Sequence, residues 1–81
     1  MKKVHIGDII LNEHASERNP LRKSIVMYSD NNFYTVIYFN GNLRSAARFE
    51  KNNVKTDPAF KIIGHVDIDG FLMNAIKQCN E

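Results

Sequence analysis

Phe33-Tyr34-Thr35-Val36-Ile37-Tyr38-Phe39, followed by Asn40-Gly41-Asn42, is the stretch that decides the fold. Seven consecutive β-branched or aromatic residues suit a pleated, half-buried strand. Asn-Gly is the strongest short-range hairpin signal, because both residues tolerate the positive φ of a tight turn. Leu43 to Glu50 must therefore return antiparallel. Two registers compete, and a slip of one residue moves every side chain to the other face. A two-residue Asn40-Gly41 loop would put Tyr34, Val36 and Tyr38 beside Leu43, Ala47 and Phe49. A three-residue loop would gather Phe33, Ile37, Phe39, Leu43 and Phe49 on one face and leave Tyr34, Tyr38, Arg44 and Arg48 on the other. The second is preferred, since it separates hydroxyl-free aromatics from the arginines.

Working outward, Ser24 to Ser29 is strand-like, and Asp30-Asn31-Asn32 is turn chemistry: short Asx side chains hydrogen-bond their own backbone. Upstream, Val4 to Leu11 reads as a first strand, with Gly7-Asp8 marking a bend or bulge. Between these two strands, residues 12–23 are almost entirely polar and contain Asn19-Pro20, a turn initiator, so a long loop is expected. Loops of that length tend to be functional or disordered. Downstream, Lys51 to Asp57 reads as a polar connection, Pro58 as a break, and Phe60 to Val66 as a fifth strand. From Asp67 the period changes. Ile68, Phe71, Leu72, Ala75, Ile76 and Cys79 fall on one face of a helix over 67–81, with Asp67 or Asp69 as its N-cap.

The expected architecture is mainly β, a small five-stranded SH3-like barrel over residues 1–66, with a C-terminal amphipathic α-helix over 67–81 in the same domain. Ile6-Gly7-Asp8-Ile9-Ile10, Asn19-Pro20-Leu21-Arg22 and Phe60-Lys61-Ile62-Ile63-Gly64 carry a resemblance that spans Val4 to Val66. The chain resembles small SH3-like barrel accessory proteins of phages and prophages of Gram-positive bacteria. That resemblance implies a mobile-element protein acting on a host machine.

The whole chain has 81 residues, 43% of them apolar and 25% charged, enough for one domain with a thin core. A chain of this size buries about 60–65% of its unfolded surface and has a total stability of roughly 4–12 kcal/mol. A net charge of +2 is too small to imply a polyanionic partner by itself. The single cysteine excludes an intramolecular disulfide, and its place on the helix's apolar face reads as packing rather than chemistry. No secretory segment and no apolar run of membrane-spanning length occurs, so a cytoplasmic protein without a membrane partner is expected.

No constellation for catalysis stands out, and a non-enzymatic protein is expected. His5, His14 and His65 lack the short spacing of metal ligands on one element, so neither a metal nor another cofactor is expected. Glu13-His14 with Ser16 lacks a group to orient the histidine. Asp67-Ile68-Asp69-Gly70 resembles the front of a calcium loop but has no distal glutamate. What remains is surface. In the preferred register, Tyr34 and Tyr38 lie beside Arg44 and Arg48, placing cations next to π faces. Such pairs also simply stabilise an exposed sheet. Arg18, Arg22 and Lys23 in the long loop form a second candidate.

These features predict a binding module. The leading expectation is a host protein or ribonucleoprotein complex as partner, inhibited as an anti-CRISPR or other anti-defence protein would inhibit it. The alternative is an SH3-like barrel that binds DNA or RNA. A homodimer through the C-terminal helix is a further expectation.

Overall fold

The protein is known from a computed structural model that describes residues 2–67. Its strands are β1 (Asp8–Asn12), β2 (Lys23–Ser29), β3 (Phe33–Asn40), β4 (Leu43–Glu50) and β5 (Phe60–His65). A 3-10 turn, Pro20–Arg22, precedes β2, and a short helix α1, Lys51–Thr56, lies between β4 and β5. The strands form one antiparallel sheet in the order β4-β3-β2-β1-β5. No ladder joins β4 to β5, so both remain edges and the sheet is open. The helix expected over 67–81 falls, apart from Asp67, outside the described residues.

The central hairpin corrects the preferred register. Asn40 pairs with Leu43 and Phe33 with Glu50, leaving Gly41-Asn42 as a two-residue turn. Gly41 has φ +63° and no described non-glycine residue has positive φ, which is the type II′ pattern and matches the right-handed twist of the strands. Tyr34, Val36 and Tyr38 therefore share a face with Ser45, Ala47 and Phe49. The core needs that face: Ile10, Val26, Tyr34, Val36, Val54 and Phe60 form its buried cluster, with Val4, Ala47, Phe49 and Ile62 packed against it. We call this the inner face. Tyr34 is the largest of the fully buried side chains, so its volume outweighs the cost of burying a phenol. Burial raises the pKa of that phenol, and its hydroxyl finds no hydrogen-bond partner among the described residues.

Other boundaries also differ. Lys51 to Thr56 is helical rather than an irregular connection, anchored by buried Val54 and by the Lys51 amide, which donates to the Asn32 carbonyl at 2.9 Å. β1 starts at Asp8 because Gly7 takes φ +94° and donates its amide to the Val26 carbonyl. A bulge interrupts β1 against β5 at Ile9/Ile10, and another interrupts β2 against β3 between Val26 and Tyr28.

Residues 12–23 are tied down rather than loose. Asn12 Oδ1 accepts from the His14 amide, Asn19 Oδ1 from the Leu21 amide, and Arg22 Nη1 donates to the Ala15 carbonyl at 2.7 Å. Lys61 Nζ reaches Glu13 Oε1 at 2.6 Å, and His14 Nε2 reaches Asp57 Oδ2 at 2.7 Å. The loop is thus bound to β5 and to the turn before it.

Candidate functional site: the outer face of the sheet

With the inner face assigned to the core, strand alternation sends Phe33, Thr35, Ile37 and Phe39 of β3 to the outer face, together with Arg44, Ala46, Arg48 and Glu50 of β4. Ile25 lies opposite Ile37 and Ile9 opposite Ile25, so an apolar row Ile9, Ile25, Ile37, Ala46 crosses four strands. Gly64 extends the row onto β5, where an added Cβ would stand 3.2 Å from Ile9 Cδ1; the absent side chain makes room for Ile9 to lie over that strand. Beside this row, Tyr28 aligns with Thr35 and Thr35 with Arg48. Tyr28 and Phe39 are 61% and 51% exposed, whereas Tyr34 is 2% exposed.

Arg48 is held in place twice. Its guanidinium lies over the Phe33 ring, 4.4 Å from the centroid, and Nη2 donates to Asp30 Oδ2 at 3.2 Å. Asp30 is fixed by its own turn, where Oδ1 accepts from the amides of Asn32 and Phe33 at 2.8 and 2.7 Å. Those two amides, with Arg48 adding to them, hold the Asp30 carboxyl below its usual range. The β2–β3 turn thus sets the aromatic-cation pair, at a contact worth about 0.5–1 kcal/mol for an exposed site.

Arg44 lies opposite Phe39 near the hairpin tip and makes no ion pair among the described residues. Lys23, at the start of β2, shares the outer parity of Ile25 and aligns with Leu11. The outer face therefore carries Lys23, Arg44 and Arg48 among Tyr28, Phe33 and Phe39.

The predicted Tyr/Arg group is not assembled. Tyr34 and Tyr38 have inner-face parity, with Tyr34 buried, while Arg44 and Arg48 stand on the opposite side next to phenylalanines. Nor do the loop cations converge. Arg22 is half-buried and braces the Ala15 carbonyl, Arg18 is exposed on the loop, and only Lys23 joins the outer face.

Two histidine-carboxylate pairs arise from long-range contacts that no local pattern signals. His65 Nδ1 meets Asp8 Oδ1 at 2.8 Å, and the His5 amide donates to Asp8 Oδ2 at 2.8 Å, with its ring nitrogen 3.7 Å away. Burial of Asp8 raises its pKa, but the hydrogen bonds and charges of His5 and His65 outweigh this and lower it. The hydrogen bond from His14 lowers the Asp57 pKa. Asp57 supplies the orienting carboxylate that the Glu13-His14-Ser16 stretch lacks in sequence. Among the described residues no group of three His, Cys, Asp or Glu is placed to hold a metal, and no helix is long and apolar enough to cross a membrane.

No family model, curated protein or solved structure matches this chain.

Proposed function

We propose that the chain is a non-enzymatic binding module that seats the outer face of its sheet on a protein surface of a host complex. In line with the phage-protein resemblance, it would inhibit that complex as an anti-CRISPR or other anti-defence protein does. The observation that carries this reading is the fixed Arg48–Phe33 pair, with exposed Tyr28 across Thr35 from it and exposed Phe39 at the far end of the same face. Aromatic rings and arginines dominate interface hot spots, and side chains already held in place lose little entropy on binding. The fitting partner surface is apolar with carboxylates at its rim, facing Lys23, Arg44 and Arg48. We further read the sheet as the strip of an SH3-like barrel. Its strand order, the helix between β4 and β5, and the 5.5 Å contact of Phe49 with Phe60, from the two edge strands, support that reading.

A second reading has its own support. Three cations interleaved with three aromatic rings on one sheet face also suit single-stranded DNA or RNA, where bases stack and phosphates pair. Quantitative recovery of lysate proteins on the wild type and on a Phe39→Ala, Arg48→Ala variant separates the two. A host protein retained by the wild type and lost with the variant supports the protein reading. A complement of recovered proteins that is the same for both chains contradicts it. For the nucleic-acid reading, affinity for oligonucleotides must fall steeply with added salt.

A further inference from the structure

We propose that two copies of this chain pair their β4 strands antiparallel about a two-fold axis at Ala47, extending the sheet across a dimer. The inference rests on the sheet edge, independently of the binding role given to the outer face. β4 pairs with β3 through eight consecutive residue pairs without a bulge. Among the described residues no turn, loop or side-chain hydrogen bond reaches the backbone of 43–49, and at Glu50, the N-cap of α1, the carbonyl enters the first turn of that helix. Ser45, Ala47 and Phe49, although of inner parity, are only half-buried, whereas their neighbours Tyr34 and Val36 on β3 are buried. Among the described residues the edge is therefore open, and a long, regular open edge is a template for strand addition. The opposite edge is guarded: β5 is bulged against β1, and Lys2 Nζ donates to the Phe60 carbonyl.

The turn determines which groups the edge offers. A two-residue turn makes Asn40–Leu43 a hydrogen-bonded pair, and the antiparallel pattern alternates from there. Arg44, Ala46 and Arg48 then direct their N–H and C=O groups away from β3, as Glu50 does its N–H, while the Glu50 carbonyl is taken up by the first turn of α1. Two copies showing the same face can use these groups only in registers centred on a β4 residue. Centring on Ala46 sets Arg44 against Arg48, and centring on Arg48 sets that residue against itself; both oppose like charges. Centring on Ser45 sets Arg44 against Ala46 and leaves the charges without counterparts. Centring on Ala47 sets Arg44 against Glu50 twice and Ala46 against Arg48 twice. It also brings the two Ala47 residues together as a non-hydrogen-bonded pair, the close approach of about 4.5 Å that a methyl group allows. Centring on Phe49 also sets Arg48 against Glu50 twice, but β4 ends at Glu50 and α1 begins at Lys51, so that ladder spans only residues 48–50. Charge complementarity and strand length together select the Ala47 register.

Sedimentation of the full chain across a concentration series tests the proposal. The wild type should dimerise. Arg44→Glu or Glu50→Arg, which each turn two attractions into repulsions, should weaken dimerisation by about tenfold or more. The double swap should restore it. Ala46→Pro removes an outward N–H, a change edge strands tolerate, and should give a folded monomer. A wild type that stays monomeric to about 1 mM, a weak-affinity limit, overturns the proposal. A dimer indifferent to the single swaps, or one the double swap fails to rescue, also overturns it and moves the contact elsewhere, for instance to residues 68–81.

Discussion

The two faces of the β3–β4 hairpin are made of similar residues and serve opposite ends. Inward lie Tyr34, Val36, Ala47 and Phe49; outward lie Phe33, Ile37, Phe39, Arg44 and Arg48. The hydroxyl-bearing ring is buried and the hydroxyl-free Phe39 stands half in solvent. Ring polarity therefore does not choose the face. Turn geometry and core volume do: the tight Gly41-Asn42 connection fixes the pairing, and Tyr34 fills space that a smaller residue would leave empty.

The contrast breaks most visibly at the core. Ile10→Ala removes a fully buried side chain and should cost about 2–5 kcal/mol, a large share of a total of about 4–12 kcal/mol. Phe39→Ala on the outer face should stay within about 0.5 kcal/mol. Urea denaturation of both variants measures the difference; equal losses would mean that the outer face is also core.

Next in size is the turn that separates the faces. A Cβ added at Gly41 meets no atom within 4 Å, so the cost of Gly41→Val is chiefly conformational, about 1–3 kcal/mol from the positive φ. Gly41→Asn should cost less, because asparagine visits that region more readily. Thermal unfolding of the pair gives the ranking.

A smaller effect separates the β1–β5 edge from the hairpin. Asp8 has a lowered pKa in the folded protein, so its contribution is complete above the unfolded value of about 3.9 and is lost as pH falls through the folded value. Stability should decline on acidification below about pH 4. Asp8→Asn should flatten that part of the profile, while Arg44→Ala should leave its shape unchanged. Small as well, Arg48→Ala gives up an exposed ion pair and a ring contact, and should change stability by no more than about 1 kcal/mol.

The sequence makes β1, β2, β3 and β5 legible because each is dense in β-branched and aromatic residues between Asx and Gly turns. Phe33 to Phe39 shows this best; its return strand, Leu43 to Glu50, has one aromatic and no β-branched residue and is legible only through the Asn40-Gly41 turn signal. The face assignment is not legible, because both registers segregate apolar residues and only three-dimensional packing tells them apart. The arginines do stand beside aromatic rings, but a shift of one residue exchanges Tyr34 and Tyr38 for Phe33 and Phe39. α1 escapes notice since Lys51-Asn52-Asn53-Val54-Lys55-Thr56 has one apolar residue, and its Asn, Val and Thr residues are weak helix formers. Its helix depends on seating Val54 in the core. Asp8 and His65 meet across 57 positions, beyond any spacing rule.

The central claim is that Arg44 and Arg48 share a face with Phe33 and Phe39, opposite Tyr34. Cross-strand Hα–Hα contacts measured by nuclear magnetic resonance test it most directly, since they report non-hydrogen-bonded pairs. Strong cross-peaks for Phe39–Arg44, Ile37–Ala46 and Thr35–Arg48 are predicted. A set in which Phe39 contacts Leu43 and Phe33 contacts Phe49 would contradict it and restore the three-residue loop.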